Sequence, residues 1–148
     1  MKASVLKSRR ALGLTFFTSL VLIVALLAET ASADKVGLVK SKDGIRVRYT
    51  VVTLFPCVKI EAYPAIISFP GGWQDSKVAK AAIIDFWGPE APKRGYFVFV
   101  PEAPKGYRSY QRGAFLAPEL IEHFKKKFKV KGEEFHMAGN SNGGLSAF

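Results

Sequence analysis

Along residues 36–148 the apolar positions keep two periods in alternation: every second residue, and every third to fourth. Val36 to Lys40 and Ile45 to Val52 flank Ser41-Lys42-Asp43-Gly44, and Ile45-Arg46-Val47-Arg48-Tyr49 alternates apolar with basic residues. A strand with one wet face reads this way, and Asp-Gly is a tight-turn pair, so the stretch predicts an antiparallel hairpin. Leu54 to Tyr63 is irregular, with Pro56 and Pro64 as punctuation. Ala65 to Phe69 is an apolar run, as expected of a strand buried on both faces, and it ends in Pro70-Gly71-Gly72-Trp73. Ser76 to Trp87 then turns to helical spacing. Asp75 or Ser76 can cap it, Ala79, Ala82, Ile83 and Phe86 share a face, and Gly88-Pro89 stops it. Gly95 to Val100 is a second buried strand, followed by a loop from Pro101 to Gly113. A second helix is predicted over Pro118 to Phe128, with Leu120, Ile121, Phe124 and Phe128 on its inner face and Lys125, Lys126, Lys127 and Lys129 near its C-terminal end. Phe135 to Ala138 is the last strand, read as buried.

Strand, helix, strand, helix, strand is the order of right-handed βαβ units. The expected class is α/β: a mostly parallel sheet with helices on both faces, preceded by an antiparallel hairpin. In such sheets ligands gather at the carboxyl ends of the strands, where Gly71-Gly72, the 101–113 loop and the residues after Ala138 converge.

Those last residues carry the candidate chemistry. Gly139-Asn140-Ser141-Asn142-Gly143-Gly144 contains a G-x-S-x-G. A serine on a sharp turn between a strand and a helix sits in strained backbone and pushes its hydroxyl out of the sheet's end. The residues two before and two after it crowd each other there, so both must lack a Cβ; Gly139 and Gly143 do.

Residues 1–33 are of another kind. Lys2, Lys7, Arg9 and Arg10 precede an uncharged stretch, Ala11 to Ala28, and Ala31-Ser32-Ala33 follows as a cleavage signal. The pattern reads as a signal peptide, which would leave residues 34–148 as the exported chain, secreted or periplasmic. The apolar stretch would be about 27 Å long as a helix, so an uncleaved membrane anchor over residues 11–28 is the alternative. Ser8-Arg9-Arg10 also hints at a twin-arginine signal. The formal net charge is +10, and only part of it belongs to the leader. A solvated basic face accounts for the rest, and no nucleic-acid module is present. Cys57 is the single cysteine, read as a small buried apolar residue; no cysteine cluster can hold zinc, and no metal or organic cofactor is implied.

On the elbow Gly139 to Gly144 and on Phe69-Pro70-Gly71-Gly72-Trp73, which stands in the place of a His-Gly-Gly oxyanion loop, the chain resembles the N-terminal half of the α/β-hydrolase family. It is most similar to secreted esterases of the polyester-depolymerase and feruloyl-esterase kind. The resemblance implies a serine hydrolase of carboxylic esters, small or polymeric. Ser141 would be the nucleophile, and the backbone N–H of Asn142 with that of Gly72 or Trp73 would form the oxyanion hole. Pro70 stands where many relatives have His. Tyr107, Arg108, Tyr110 and Arg112 would line the acyl or alcohol pocket, and Trp73 would be pocket wall or core. Family order puts an acid and then a His after the serine, and Asn142 to Phe148 holds neither. His123 is expected at a helix surface and His136 on the last strand, pointing into a neighbouring layer, neither as the base. The expectation is therefore a partial chain with little or no activity by itself. A serine peptidase of the same fold is one alternative. A non-catalytic exported domain or decayed gene product that keeps the elbow as a relic is the other.

Overall fold

The computed structural model describes residues 35–53, 62–88, 90–132 and 134–148, and only the backbone of residues 112–115. The leader read at 1–33, Cys57 and the side chain of Arg112 lie outside the described residues. No described helix is long and apolar enough to cross a membrane.

The hairpin forms as its alternation requires. β1 (Lys35–Lys40) runs antiparallel to β2 (Arg46–Val52), with Val47, Tyr49 and Val51 turned inward. Gly44 turns the corner at φ 79°, a conformation that suits glycine. β3 (Ala65–Phe69), β4 (Phe97–Pro101) and β5 (His136–Gly139) complete one five-stranded sheet in the order β1-β2-β4-β3-β5. β3 pairs parallel with both β4 and β5, whereas β2 joins β4 antiparallel. The sheet is thus mixed, parallel through its βαβ part.

Helices cover both faces. On one, α3 (Ser109–Lys127) sets Leu116, Leu120 and Phe124 against Tyr49, Val51, Ile67 and Phe99. The Phe99 and Phe124 rings stack 4.0 Å apart. On the other, α1 (Ser76–Ala82) and the short α2 (Glu90–Arg94) set Ala79 and Ala91 against Val52, Val98 and Val100. Alternation along β4 sends Phe99 to the first core and Val98 and Val100 to the second. The last helix, α4 (Asn142–Ala147), leaves the end of β5.

Four local readings are corrected. The predicted first helix is α-helical only to Ala82; Ile83–Trp87 is a π-turn, and α2 follows where a stop was expected. A π-turn inserts one extra residue per turn and so shifts the buried face. Ile83 stays inside, Phe86 is turned out, and Trp87 takes the inner place with Nε1 donating to Ser68 Oγ at 2.8 Å. The second helix begins nine residues before Pro118, which lies inside it, so Tyr110 belongs to a helix and not to a loop. Its start is fixed by Gln111, whose side chain accepts from the Arg108 N–H at 2.7 Å while its own N–H donates to the Arg108 carbonyl. β5 is not buried: it ends the sheet order, and His136, Met137 and Gly139 are exposed. His136 is accordingly exposed, with the Tyr96 ring 6.1 Å away, instead of entering a layer. His123, expected at the surface, is half-buried, with Nε2 3.1 Å from the Tyr49 hydroxyl.

Candidate active site

Ser141 lies between the end of β5 and the start of α4 at φ 53°, ψ −121°. Among the described residues only Ser141 and Gln74 have positive φ without being glycine. Such backbone costs roughly 1–3 kcal/mol and persists only where neighbours impose it. The neighbours here are backbone atoms. A Cβ on Gly139 would collide with the Gly143 carbonyl, and a Cβ on Gly143 would collide with the Phe69 carbonyl. The glycine pair lets the turn close against the end of β3. Gly143 N–H then donates to Asn140 at 2.8 Å and Gly144 N–H to Ser141 at 2.8 Å. The Ser141 side chain is left exposed.

The Pro70 to Gln74 loop faces this turn. Gly72 has φ 54°, and a Cβ on Gly71 would press on the Asn140 carbonyl oxygen at 3.0 Å. Two side chains hold the Gly72 carbonyl from different elements: Asn142 Nδ2 at 2.9 Å and Arg108 Nη1 at 2.9 Å. The Arg108 guanidinium also lies 3.4 Å from the centre of the Trp73 ring, which is 71% exposed and so is no part of the core. The backbone N–H groups of Gly72, Trp73 and Asn142 donate to no acceptor among the described residues.

Gln74 was invisible to sequence reasoning. Its side chain is fully buried and has partners in its own loop, at the start of α3 and in α4. Nε2 donates to the Pro70 carbonyl and to Ser146 Oγ, both at 3.0 Å, and Oε1 accepts from the Ser109 N–H at 2.7 Å. These partners lie 4, 72 and 35 residues away in sequence, so no local period could announce them.

A cleft of about 690 Å³ opens at Ser141. Phe69, Pro70, Gly72, Val78 and Phe86 form much of its wall, and Asp85 contributes a carboxylate. The π-turn is what turns Phe86 toward this space instead of the core. Tyr107, Arg108 and Tyr110 do not line it. Together with Trp73 they border a second cleft of about 560 Å³. No metal-binding cluster of His, Cys, Asp or Glu occurs among the described residues.

No protein-family model and no curated protein sequence matches the chain. Solved structures do match. An S-formylglutathione hydrolase from Agrobacterium tumefaciens superposes with a TM-score of 0.64 at 16% identity, over 79% of this chain and 52% of that one. The strand order, the parallel β3-β4-β5 core and a serine turn after β5 coincide with this similarity. The chain has the α/β-hydrolase fold. Other α/β-hydrolase-like matches are LpqC, a poly(3-hydroxybutyrate) depolymerase from Bordetella parapertussis (TM-score 0.59, 12% identity, 78% of this chain and 45% of that one), and a thermostable esterase (0.56, 14%, 76% and 36%). The chain thus spans about half or less of the length of these α/β-hydrolase structures.

Proposed function

We propose that the chain carries the nucleophile and oxyanion hole of a serine hydrolase acting on carboxylic esters. One observation carries this reading: Ser141 is held in strained, exposed geometry by two glycines at which no side chain fits. In the reaction, Ser141 Oγ bonds to the acyl carbon as its proton passes to a base. The alcohol departs with a proton, and water then releases the acid from the acyl-enzyme.

The Asn142 N–H, next to the nucleophile, is one oxyanion donor. Peptide geometry supports Gly72 over Trp73 as the other. In a trans peptide the N–H points opposite to the C=O. The Gly72 carbonyl is turned toward the Asn142 side chain, which directs the Trp73 N–H away from the elbow. The Gly71 carbonyl accepts from the Gln74 N–H at 3.0 Å, which leaves the Gly72 N–H on the opposite side. Losing one such donor costs about 3 kcal/mol of transition-state stabilisation.

Neither histidine of the chain is poised as base. His123 is bonded to Tyr49, and His136 is at the start of β5, a strand's length from the serine turn. We therefore expect the 148-residue chain to turn over a p-nitrophenyl acyl ester too slowly to measure. The test of the nucleophile is covalent capture. A fluorophosphonate should label the chain, or a longer chain that carries an acid and a His after Ser141, and Ser141→Ala should abolish the label. A label that survives this substitution removes Ser141 from its role. Residues 1–33 support an exported location for the enzyme, with a membrane anchor over 11–28 as the alternative.

A further inference from the structure

The second cleft, on the far side of the Gly72-Trp73 peptide from Ser141, has its own chemistry. Trp73, Tyr107 and Tyr110 border it at 71%, 45% and 41% exposure. Three large rings this exposed along one concave surface are unusual, and the Arg108 guanidinium already stacks on one face of Trp73. The cations are grouped with them. Lys105 and Arg108 line the cleft, and Lys105 has no carboxylate partner among the described residues. Arg108 directs one of its donors to Gly72 and keeps the others available. Asp75 is the only acid among the described residues of the wall, and its Oδ1 is occupied in capping α1 through the Val78 N–H at 3.0 Å. The cleft is therefore net positive and ringed by stacking surfaces, with the Gln111 amide at its edge.

A ligand suited to such a wall needs flat apolar faces, hydroxyls at its rim and a negative charge. Sugar rings carrying carboxylates have all three. Their C–H faces stack on aromatic rings, their hydroxyls meet polar groups, and their carboxylates pair with Lys and Arg. A volume of about 560 Å³ is within the ordinary range for ligand sites. The Gly72-Trp73 peptide is shared: Gly72 borders the Ser141 cleft and Trp73 the second one. A chain lying across this ridge would present an ester to the serine.

We propose that the second cleft binds acidic sugar chains, and that these form the portion of the substrate remote from the ester. That the ligand is part of a substrate rests on the Ser141 reading; that it binds does not. The test is binding to the full chain, followed by Trp fluorescence and calorimetry, with trigalacturonate as probe and maltotriose as the neutral control. Trigalacturonate is expected to bind with a dissociation constant of about 1 mM or tighter at low salt, and to weaken as salt screens the cations. Maltotriose should bind at least roughly tenfold more weakly. Trp73→Ala should remove the fluorescence response. Lys105→Glu, on an exposed loop position where folding is not at stake, should weaken trigalacturonate roughly tenfold and leave maltotriose unchanged.

No binding of trigalacturonate at several millimolar, equal binding of both sugars, or indifference to Lys105→Glu overturns the proposal. Ser141→Ala should leave binding intact. Loss of the hydrolase reading would show only in the fluorophosphonate experiment, and loss of this one only in the sugar titration.

Discussion

Gln74 Nε2 donates to Ser146 Oγ at 3.0 Å, which ties the Pro70 to Gln74 loop to the helix that follows Ser141. Ser146 Oγ donates in turn to the Asn142 carbonyl at 3.1 Å. A chain of polar contacts, buried at Gln74 and partly buried at Asn142, thus runs from Pro70 to the residue after Ser141. The two non-glycine residues with positive φ among the described residues both lie here: Gln74 is bonded to Pro70 and Ser146, and the Ser141 turn closes against Phe69 and Pro70.

Replacing Gln74 by Met keeps the volume and deletes those bonds. The Pro70 carbonyl and the Ser109 N–H lose their partner inside the protein. An unsatisfied buried polar group costs about 1–3 kcal/mol, so Gln74→Met should lower the unfolding free energy by about 2–5 kcal/mol, read from urea denaturation. Amide exchange at Ser109 and across residues 70–74 should quicken by more than the global loss explains. A change below about 0.5 kcal/mol would mean that the network carries no weight.

At Gly143 the obstacle is backbone. A methyl group there would enter the space of the Phe69 carbonyl, at the point where β3 meets the elbow. Gly143→Ala should cost about 1–3 kcal/mol and move the serine turn, so fluorophosphonate labelling should drop below detection. Full labelling of this variant would show that the turn tolerates opening.

Far from the site, Gly37 faces Tyr49 across the hairpin, and a Cβ on it would overlap the Tyr49 ring. Tyr49 is fully buried, edge-on to Phe124 at 4.9 Å, and has no room to retreat. Gly37→Ala should therefore destabilise by about 1–3 kcal/mol, while Gly44→Ala, with open space around it, should show only the strain of its positive φ.

His123 supplies a pH dependence. Partial burial, and secondarily the Lys127 ammonium, hold its imidazole below the usual histidine range. The unfolded chain therefore takes up the proton first as pH falls. Above the ordinary histidine pKa both states are neutral and nothing is lost. Stability declines as pH drops through about 6.5 and levels off once the folded state also protonates. The urea midpoint should fall between about pH 7.5 and about pH 5.5, and His123→Gln should flatten that slope. An unchanged slope in the variant would remove His123 from the account.

Much of the architecture was legible because local periodicity reports burial. The hairpin, the core face Leu120-Ile121-Phe124-Phe128 and the Asp75 cap all emerged where the pattern put them. The serine turn was legible for a steric reason: Gly139 is demanded by the backbone of Gly143 and Gly144, a short-range demand that leaves its mark in sequence, whereas the demand on Gly143 comes from Phe69 and Pro70 on a distant stretch of chain. Phe86 misled because a π-turn breaks the 3.6-residue period without any residue that signals it. The early start of α3 was hidden because its anchors, Gln111 and Gln74, act through side-chain bonds and not through apolar spacing.

By itself, then, the sequence determined the α/β class, the elements of the βαβ core and the single strained serine, since each follows from periods and crowding within a short stretch of chain. Only the tertiary structure decided that the Gly72 carbonyl turns to Asn142, that Gln74 joins its own loop to two helices, and that the Tyr107 to Tyr110 segment forms a cleft separate from that of Ser141. Those outcomes depend on groups tens of residues apart meeting at the end of a sheet, where distance in space and distance along the chain part company.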